Sequence, residues 1–253
     1  MTDNEKFLSS DDLDAIGEVL NISMGAAATA VSSMLDKRVL ITTPNVELNT
    51  FDTIDYSKLE PAILVKINYV EGIEGANVII LRRNDMRIIL DILMGNDYTQ
   101  GSEEEFEFDD MSLSAACEVM NQMMGSSATA LSSIMETRID ISPPTASVVN
   151  LTEVINGGEI AEFLKGDFVK ISFSLEIGDL INSELMQLYP FEFAKVLNDK
   201  FLKYSGLDSK VQFGQIVEEE QVDKSEPTPA PAPEPAVQPT QPVPQQMPYR
   251  WQS

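Results

Sequence analysis

Two Glu-x-x-Asn pairs occur at the same place in two similar stretches of this sequence. Glu18 and Asn21 lie in Leu13–Pro44, and Glu118 and Asn121 lie in Leu113–Pro144. The stretches are offset by 100 positions and are identical at about half of their paired positions. A carboxylate accepts hydrogen bonds and an amide both donates and accepts them, so such a pair can hold a cationic group and orient a water molecule. The repeat therefore predicts either two copies of a working site or two copies of a core element.

Composition narrows the chemistry that these residues could perform. The 253 residues include no histidine and a single cysteine, Cys117. This excludes Ser–His–Asp and Cys–His catalysis, phosphohistidine chemistry and nearly all zinc sites. A single cysteine also excludes an internal disulfide framework and suits a reducing cytoplasm. We expect no metal to be bound by the chain itself.

The charge of the chain limits its partners. Its net charge is −24 and its pI is about 4.1, so nucleic acid phosphates and an anionic membrane surface would be repelled. No apolar run approaches the length of a membrane span, and the acidic N-terminus is unlike a signal peptide. We expect a cytoplasmic protein without a membrane span.

Helical periodicity places the Glu/Asn pairs on outer faces. At 100° per residue an apolar stripe forms on each helix. The stripes are Leu13, Ile16, Leu20, Met24, Ala27, Val31 and Met34 in the first stretch, and Leu113, Met120, Met124, Ala128, Leu131 and Met135 in the second. A second line lies more than a right angle away, and it contains Asp14, Glu18, Asn21 and Gly25, or Ser114, Glu118, Asn121 and Gly125. Packing does not explain this line; the competing interpretation is a set of solvated residues that survived a duplication.

The elements around the two helices repeat as well. The first half predicts a helix to about Asp36, short strands over 38–42 and 46–49, a hairpin of 62–70 and 76–82, and a helix that starts at an Asn84 cap and ends at Gly95. The second half predicts a helix over about 111–136, strands over 138–141 and 145–150, a hairpin of 168–176 and 180–188, and a helix after Pro190. The Ala/Ser blocks of the long helices are assigned to helix packing.

These elements predict an α/β (α+β) fold with pseudo-twofold symmetry and a mainly antiparallel sheet. We expect a short extension over 1–9 and one domain over 10–205, with repeats over about 10–100 and 110–205. The boundary is uncertain over 206–217. Residues 218–253 are acidic and rich in proline, which is typical of an extended linker or tail. Internal symmetry makes a monomer plausible.

Both motifs resemble the signature of the CheC/CheX/FliY phosphatases of bacterial chemotaxis. The matching patterns are Asp14-x₃-Glu18-x₂-Asn21-x₂₂-Pro44 and Ser114-x₃-Glu118-x₂-Asn121-x₂₂-Pro144. The resemblance covers roughly residues 10–205. Within this family, the two intact sites and the Pro-rich stretch resemble those of FliY members, which carry a FliN-like domain after such a linker. Whether this chain is a stand-alone phosphatase or part of a longer protein stays open.

The resemblance implies dephosphorylation of the aspartyl phosphate on the response regulator CheY. Glu18 and Glu118 would contact a lysine of the regulator, and Asn21 and Asn121 would orient the attacking water. Asp14, Ser114, Gly25 and Gly125 would help to seat the partner. The regulator would supply Mg²⁺. The alternative is a non-catalytic protein that binds phosphorylated CheY, CheD or the flagellar switch. Either function implies a location in the cytoplasm, which includes the cytoplasmic face of the flagellar motor.

Overall fold

The computed structural model describes residues 8–97, 106–154 and 157–205. In these ranges four α-helices accompany a seven-stranded sheet in which every strand pair is antiparallel, as the sequence predicts. The helices are α1 (Ser10–Leu35), α2 (Arg83–Met94), α3 (Asp110–Ile134) and α4 (Phe191–Ser205). The strands are β1 (Val39–Asn49), β2 (Ala62–Glu71), β3 (Gly75–Arg82), β4 (Asp140–Ile141), β5 (Thr145–Val149), β6 (Phe168–Ile177) and β7 (Ile181–Pro190).

Two local predictions are wrong. The first half has one long strand, β1, where two short ones are predicted. The strand is continuous because it pairs with β6 on both sides of a register shift between Thr42 and Asn45. Asn84 is not a helix cap, because β3 runs directly into α2 and Arg82 is the N-cap residue. The Asn84 side chain accepts a hydrogen bond from Arg87 Nε instead. Gly95 ends α2 in a left-handed conformation, as predicted.

The two repeats exchange their first strands. Strand order in the sheet is β1-β6-β7-β3-β2, with β4 and β5 both paired to β2. Thus β1 of the first repeat pairs with β6 of the second, and β5 of the second repeat pairs with β2 of the first. This reciprocal pairing confirms the pseudo-twofold arrangement. It also means that neither repeat completes its own sheet.

The long helices pack against each other and on one face of the sheet. Ile16, Leu20 and Met24 of α1 are buried in the same core as Met120, Met124 and Leu131 of α3. By length and composition alone α1 is apolar enough to cross a membrane, but half of its most apolar window is buried inside the fold. A core helix of a soluble protein has the same composition, and the contacts of α1 are those of a core helix.

A buried polar side chain lies beneath both long helices. Gln187 of β7 is fully buried, and its Nε2 lies 3.4 Å from Met24 Sδ and 3.8 Å from Met124 Sδ. The hydroxyl of Tyr189 donates a hydrogen bond to Gln187 Oε1 at 2.8 Å. Burial raises the pKa of Tyr189 well above its ordinary value, so this hydroxyl stays protonated and keeps its role as a donor. No pattern in the sequence predicts this contact.

A smaller core fills the opposite face of the sheet. It joins Phe51 and Tyr56 to Leu151, Leu164 and Phe168, which are all buried. The chain between β5 and β6 covers it with short 3₁₀ turns at Leu151–Glu153, Gly157–Glu159 and Glu162–Lys165. The predicted extension over 1–9 falls largely, and the tail over 218–253 entirely, outside the described residues. Residues 98–105, between the two repeats, also lie outside them.

The β2–β3 hairpin turn depends on a glycine that touches the other repeat. Gly72 has a φ of 77°, and a Cβ added there would overlap the carbonyl oxygen of Arg138. We predict that Gly72→Ala lowers the free energy of unfolding by about 2–4 kcal/mol, because it adds an overlap to the cost of a left-handed alanine. Urea unfolding measures the change.

Gly95→Ala is the matched control. Its φ is 71°, but nothing lies within 4 Å of an added Cβ. It carries only the backbone cost, about 1–2 kcal/mol. Equal losses in the two variants would contradict the contact between Gly72 and Arg138.

Candidate functional site

The polar line of α1 faces solvent. Asp14, Glu18, Asn21 and Gly25 are all exposed, whereas Ile16 and Leu20 between them are buried. On α3, Ser114 and Glu118 are exposed, and Asn121 and Gly125 are half-buried. The structure therefore brings the predicted site residues together as two outward-facing lines, one on each helix. Core packing accounts for neither line.

A cleft borders the α1 line. It has a volume of about 330 Å³ and lies between α1 and β1. Its lining consists of Leu13, Asp14, Gly17, Glu18, Asn21, Pro44, Asn45 and Val46. We define site 1 as Glu18, Asn21 and this cleft. The motif proline, Pro44, therefore belongs to the wall opposite the helix.

Gly17, Asn45 and Val46 were missed by sequence reasoning. Gly17 is buried in the middle of α1, and a Cβ there would lie 3.7 Å from Pro44 Cγ and 3.4 Å from Val46 Cγ2. Those are ordinary contact distances, so the missing side chain leaves room in the cleft. A glycine inside a long helix costs stability, and that cost was the available signal.

Site 2 consists of Glu118 and Asn121 on α3, and its surroundings differ. The 100-position offset puts Cys117 where site 1 has Gly17, and Gln122 where it has Ile22. Gln122 Nε2 donates a hydrogen bond to Glu118 Oε1 at 2.8 Å. Cys117 is half-buried. The two sites thus share the Glu/Asn pair but not the side chains around it.

Within the described residues, the functional groups of site 1 have no polar partner. In the described ranges the carboxylate of Glu18 and the amide of Asn21 make no hydrogen bond or ion pair. Among the same residues no group of three or more His, Cys, Asp or Glu side chains could hold a metal ion. An exposed pair of this kind can contact and orient groups that a partner brings, but it does not enclose a substrate.

Both helices begin with a hydrogen-bonded cap that fixes the start of the polar line. Ser9 caps α1 and accepts from Asp12 N, and Asp12 in return accepts from Ser9 N at 2.8 Å. In α3 the residue types are exchanged: Asp109 is the cap and accepts from Ser112 N at 2.8 Å. Asp12 also accepts from Asn198 Nδ2 at 2.7 Å, which ties α1 to α4.

These caps hold their carboxylates in the charged form. Burial raises the pKa of Asp12, but hydrogen bonds from Ser9 and Asn198 outweigh it, and the net shift is downward. Hydrogen bonds from Ser112 lower the pKa of Asp109. Negative charge in the first turn is also favoured by the helix dipole.

Comparison with known proteins places this geometry in a family. The model of the CheC-like family matches residues 12–48 and 111–148, which contain both Glu/Asn pairs. The chain is 42% identical over 190 residues to the flagellar motor switch phosphatase FliY of Bacillus subtilis. A crystal structure of Thermotoga maritima FliY superposes with a TM-score of 0.70 at 33% identity, and the match covers 78% of this chain and 98% of that one. The chain belongs to the CheC-like family.

The fold extends beyond this family, and the match to the curated relative is partial. The FliM middle domain of H. pylori matches with a TM-score of 0.57 at 16% identity, covering 76% of this chain and 99% of that one, which shows a common fold only. The Bacillus FliY match covers 75% of this chain but 49% of the relative. The chain therefore spans about half the length of that relative. Among CheC-like proteins, it resembles FliY in sequence and in structure.

The α1 cap gives a prediction with a defined pH dependence. Ser9→Ala should lower the free energy of unfolding by about 0.5–2 kcal/mol at neutral pH, the usual cost of losing a cap. Because the pKa of Asp12 is lowered in the folded state, its contribution is present above the ordinary carboxyl pKa of about 4 and is lost as the pH falls through the folded value. Urea unfolding at a series of pH values should show the deficit shrinking in acid.

Ser33→Ala is the control for this substitution. Ser33 lies exposed on the same helix, and its hydroxyl donates a hydrogen bond to the Thr29 carbonyl of its own helix at 3.1 Å. We expect almost no loss of stability there. A deficit for Ser9→Ala that does not change with pH would show that Asp12 takes no part in the cap.

Proposed function

We propose that this chain is a phosphatase that hydrolyses the aspartyl phosphate of a CheY-type chemotaxis response regulator. The observation that carries the proposal is the pair of outward-facing Glu-x-x-Asn lines, one on each long helix. Its CheC-like relative in Bacillus is named a flagellar motor switch phosphatase. The lines face solvent, as a site must if its substrate is the active centre of another protein.

In this proposal the glutamates bind the regulator, and the asparagines position the attacking water. Glu18 and Glu118 offer exposed carboxylates to a lysine of the regulator, and the −24 charge of the chain favours approach of a basic surface. The Asn21 or Asn121 amide enters the regulator's site, accepts a hydrogen bond from a water molecule and aligns it with the phosphorus atom. An amide does not titrate, so its contribution is orientation of the nucleophile.

The reaction needs little more from this chain. Water attacks phosphorus in line, the bond to the aspartate oxygen breaks, and the carboxylate leaves with its electron pair while inorganic phosphate is formed. Gln residues orient the attacking water in GTPases, and asparagine offers the same functional group on a shorter side chain. Mg²⁺ would be supplied by the regulator, where it would offset the charge of the phosphoryl oxygens. Asp14, Ser114, Gly25 and Gly125 lie beside these groups on the same lines and would contact the docked partner.

We predict that the two asparagines share the activity. With a phosphorylated chemotaxis regulator and Mg²⁺, Asn21→Ala and Asn121→Ala should each lose part of the rate of phosphate release. The double variant should fall by about 100-fold, the loss expected when a reacting group is misplaced by an ångström. Asn182→Ala is the control, because this exposed asparagine lies on β7 outside the lining of the site 1 cleft.

Two results would count against the enzyme. An unchanged rate of regulator dephosphorylation with the unaltered protein would end the proposal. Saturable binding of the phosphorylated regulator without turnover would instead support the alternative, a non-catalytic protein that holds the regulator at the flagellar switch.

A further inference from the structure

The residue after each site asparagine differs in chemical type. Ile22 follows Asn21 and is 49% exposed, which is unusually open for a large apolar side chain on a core helix. Gln122 follows Asn121, is exposed, and hydrogen-bonds Glu118. Each residue lies one turn after its glutamate, so both are on the rim of their sites.

The surroundings of Ile22 point to use by a partner. Its neighbour Glu18 makes no contact with a polar group in the described chain, and Gly17 leaves the adjoining cleft open. A single exposed apolar residue needs no explanation by itself. Here it directly follows Asn21 and lies one turn after Glu18, so a regulator docked on those two residues would cover it.

We propose that site 1 is the higher-affinity docking site for the response regulator and that Ile22 is its apolar contact. This inference rests on the proposed function. Site 2 lacks the contact, because Gln122 is polar and holds Glu118 Oε1, so the amide competes with an incoming ammonium group. The chain thus has a primary and a secondary site of the same chemistry.

Magnitudes show which difference dominates. Burying the exposed half of an isoleucine side chain is worth about five-fold in affinity, from the usual free energy of burying such a side chain. An exposed glutamine–carboxylate pair on a helix is worth less than about two-fold. Ile22, rather than Gln122, should therefore set most of the difference between the sites.

Single-site variants test this directly. Asn121→Ala leaves only site 1 active, and Asn21→Ala leaves only site 2. We expect the site 1 protein to have a KM for the phosphorylated regulator about five-fold below that of the site 2 protein. Within the Asn121→Ala background, Ile22→Gln should raise KM to the site 2 value and leave kcat unchanged, because docking and not chemistry is altered.

A second substitution separates the apolar contact from the hydrogen bond. Ile22→Ser removes the apolar side chain, but serine is too short to hold Glu18 as Gln122 holds Glu118. It should raise KM as much as Ile22→Gln does. Val70→Gln is the control, because Val70 is 52% exposed but lies on β2, far across the sheet from β1 of site 1.

The outcomes distinguish this inference from the function on which it rests. Turnover with equal KM values for both single-site proteins, or with Ile22→Ser unchanged, would overturn the inference and leave the phosphatase intact. A rise in KM for Ile22→Gln alone would also overturn it, since the restraint on Glu18 would then be the cause. Titration with a regulator activated by beryllofluoride and Mg²⁺ measures binding without turnover, and weaker binding by both Ile22 variants would support the inference even if hydrolysis were absent.

Discussion

The side-by-side packing of α1 and α3 is the constraint on which the rest of the molecule depends. Two long helices approach each other closely where the residues between them are small, and Ala26, Ala30, Ser126 and Ala130 line the groove between α1 and α3. One side of each helix then packs on the sheet, and another side packs against the other helix. What remains is the narrow outward strip that carries Glu18 or Glu118. The geometry that builds the core therefore also decides where a working residue can be placed.

The two faces of each long helix could be predicted from sequence, because the periodicity of apolar and polar residues distinguishes them. The apolar stripe of α1 and its polar line were separable from sequence, and so was the repetition of both in α3. The lining of the cleft was not, because it depends on β1 lying along α1, and no local pattern shows that Val46 faces Gly17. The Asn84 cap was predicted wrongly for a similar reason: asparagine favours caps, but β3 leads into α2 without a loop, so the pairing of β3 decides where the helix starts.

The two sites serve as an internal comparison within one chain. Both sites have the glutamate and the asparagine. Gly17 of site 1 corresponds to Cys117 of site 2, and Ile22 corresponds to Gln122. The shared residues are those that the proposed chemistry needs, and the differing ones lie next to them on the same helices. A fold with twofold pseudosymmetry has this freedom, since a substitution on one helix need not be matched on the other. Gln187, which touches Met24 and Met124 together, shows the opposite case of one residue serving both halves.

The exchange of strands between repeats affects how the chain must fold. When the first repeat leaves the ribosome, β1 has no neighbour, because Val39 pairs with Ile177 near the end of the domain. Until then α1, the most apolar helix, has no complete sheet to cover it. Contacts so distant in sequence slow folding and prolong the exposure of apolar surface. We therefore expect a fragment that ends between the two repeats to expose this apolar surface and to be prone to aggregation.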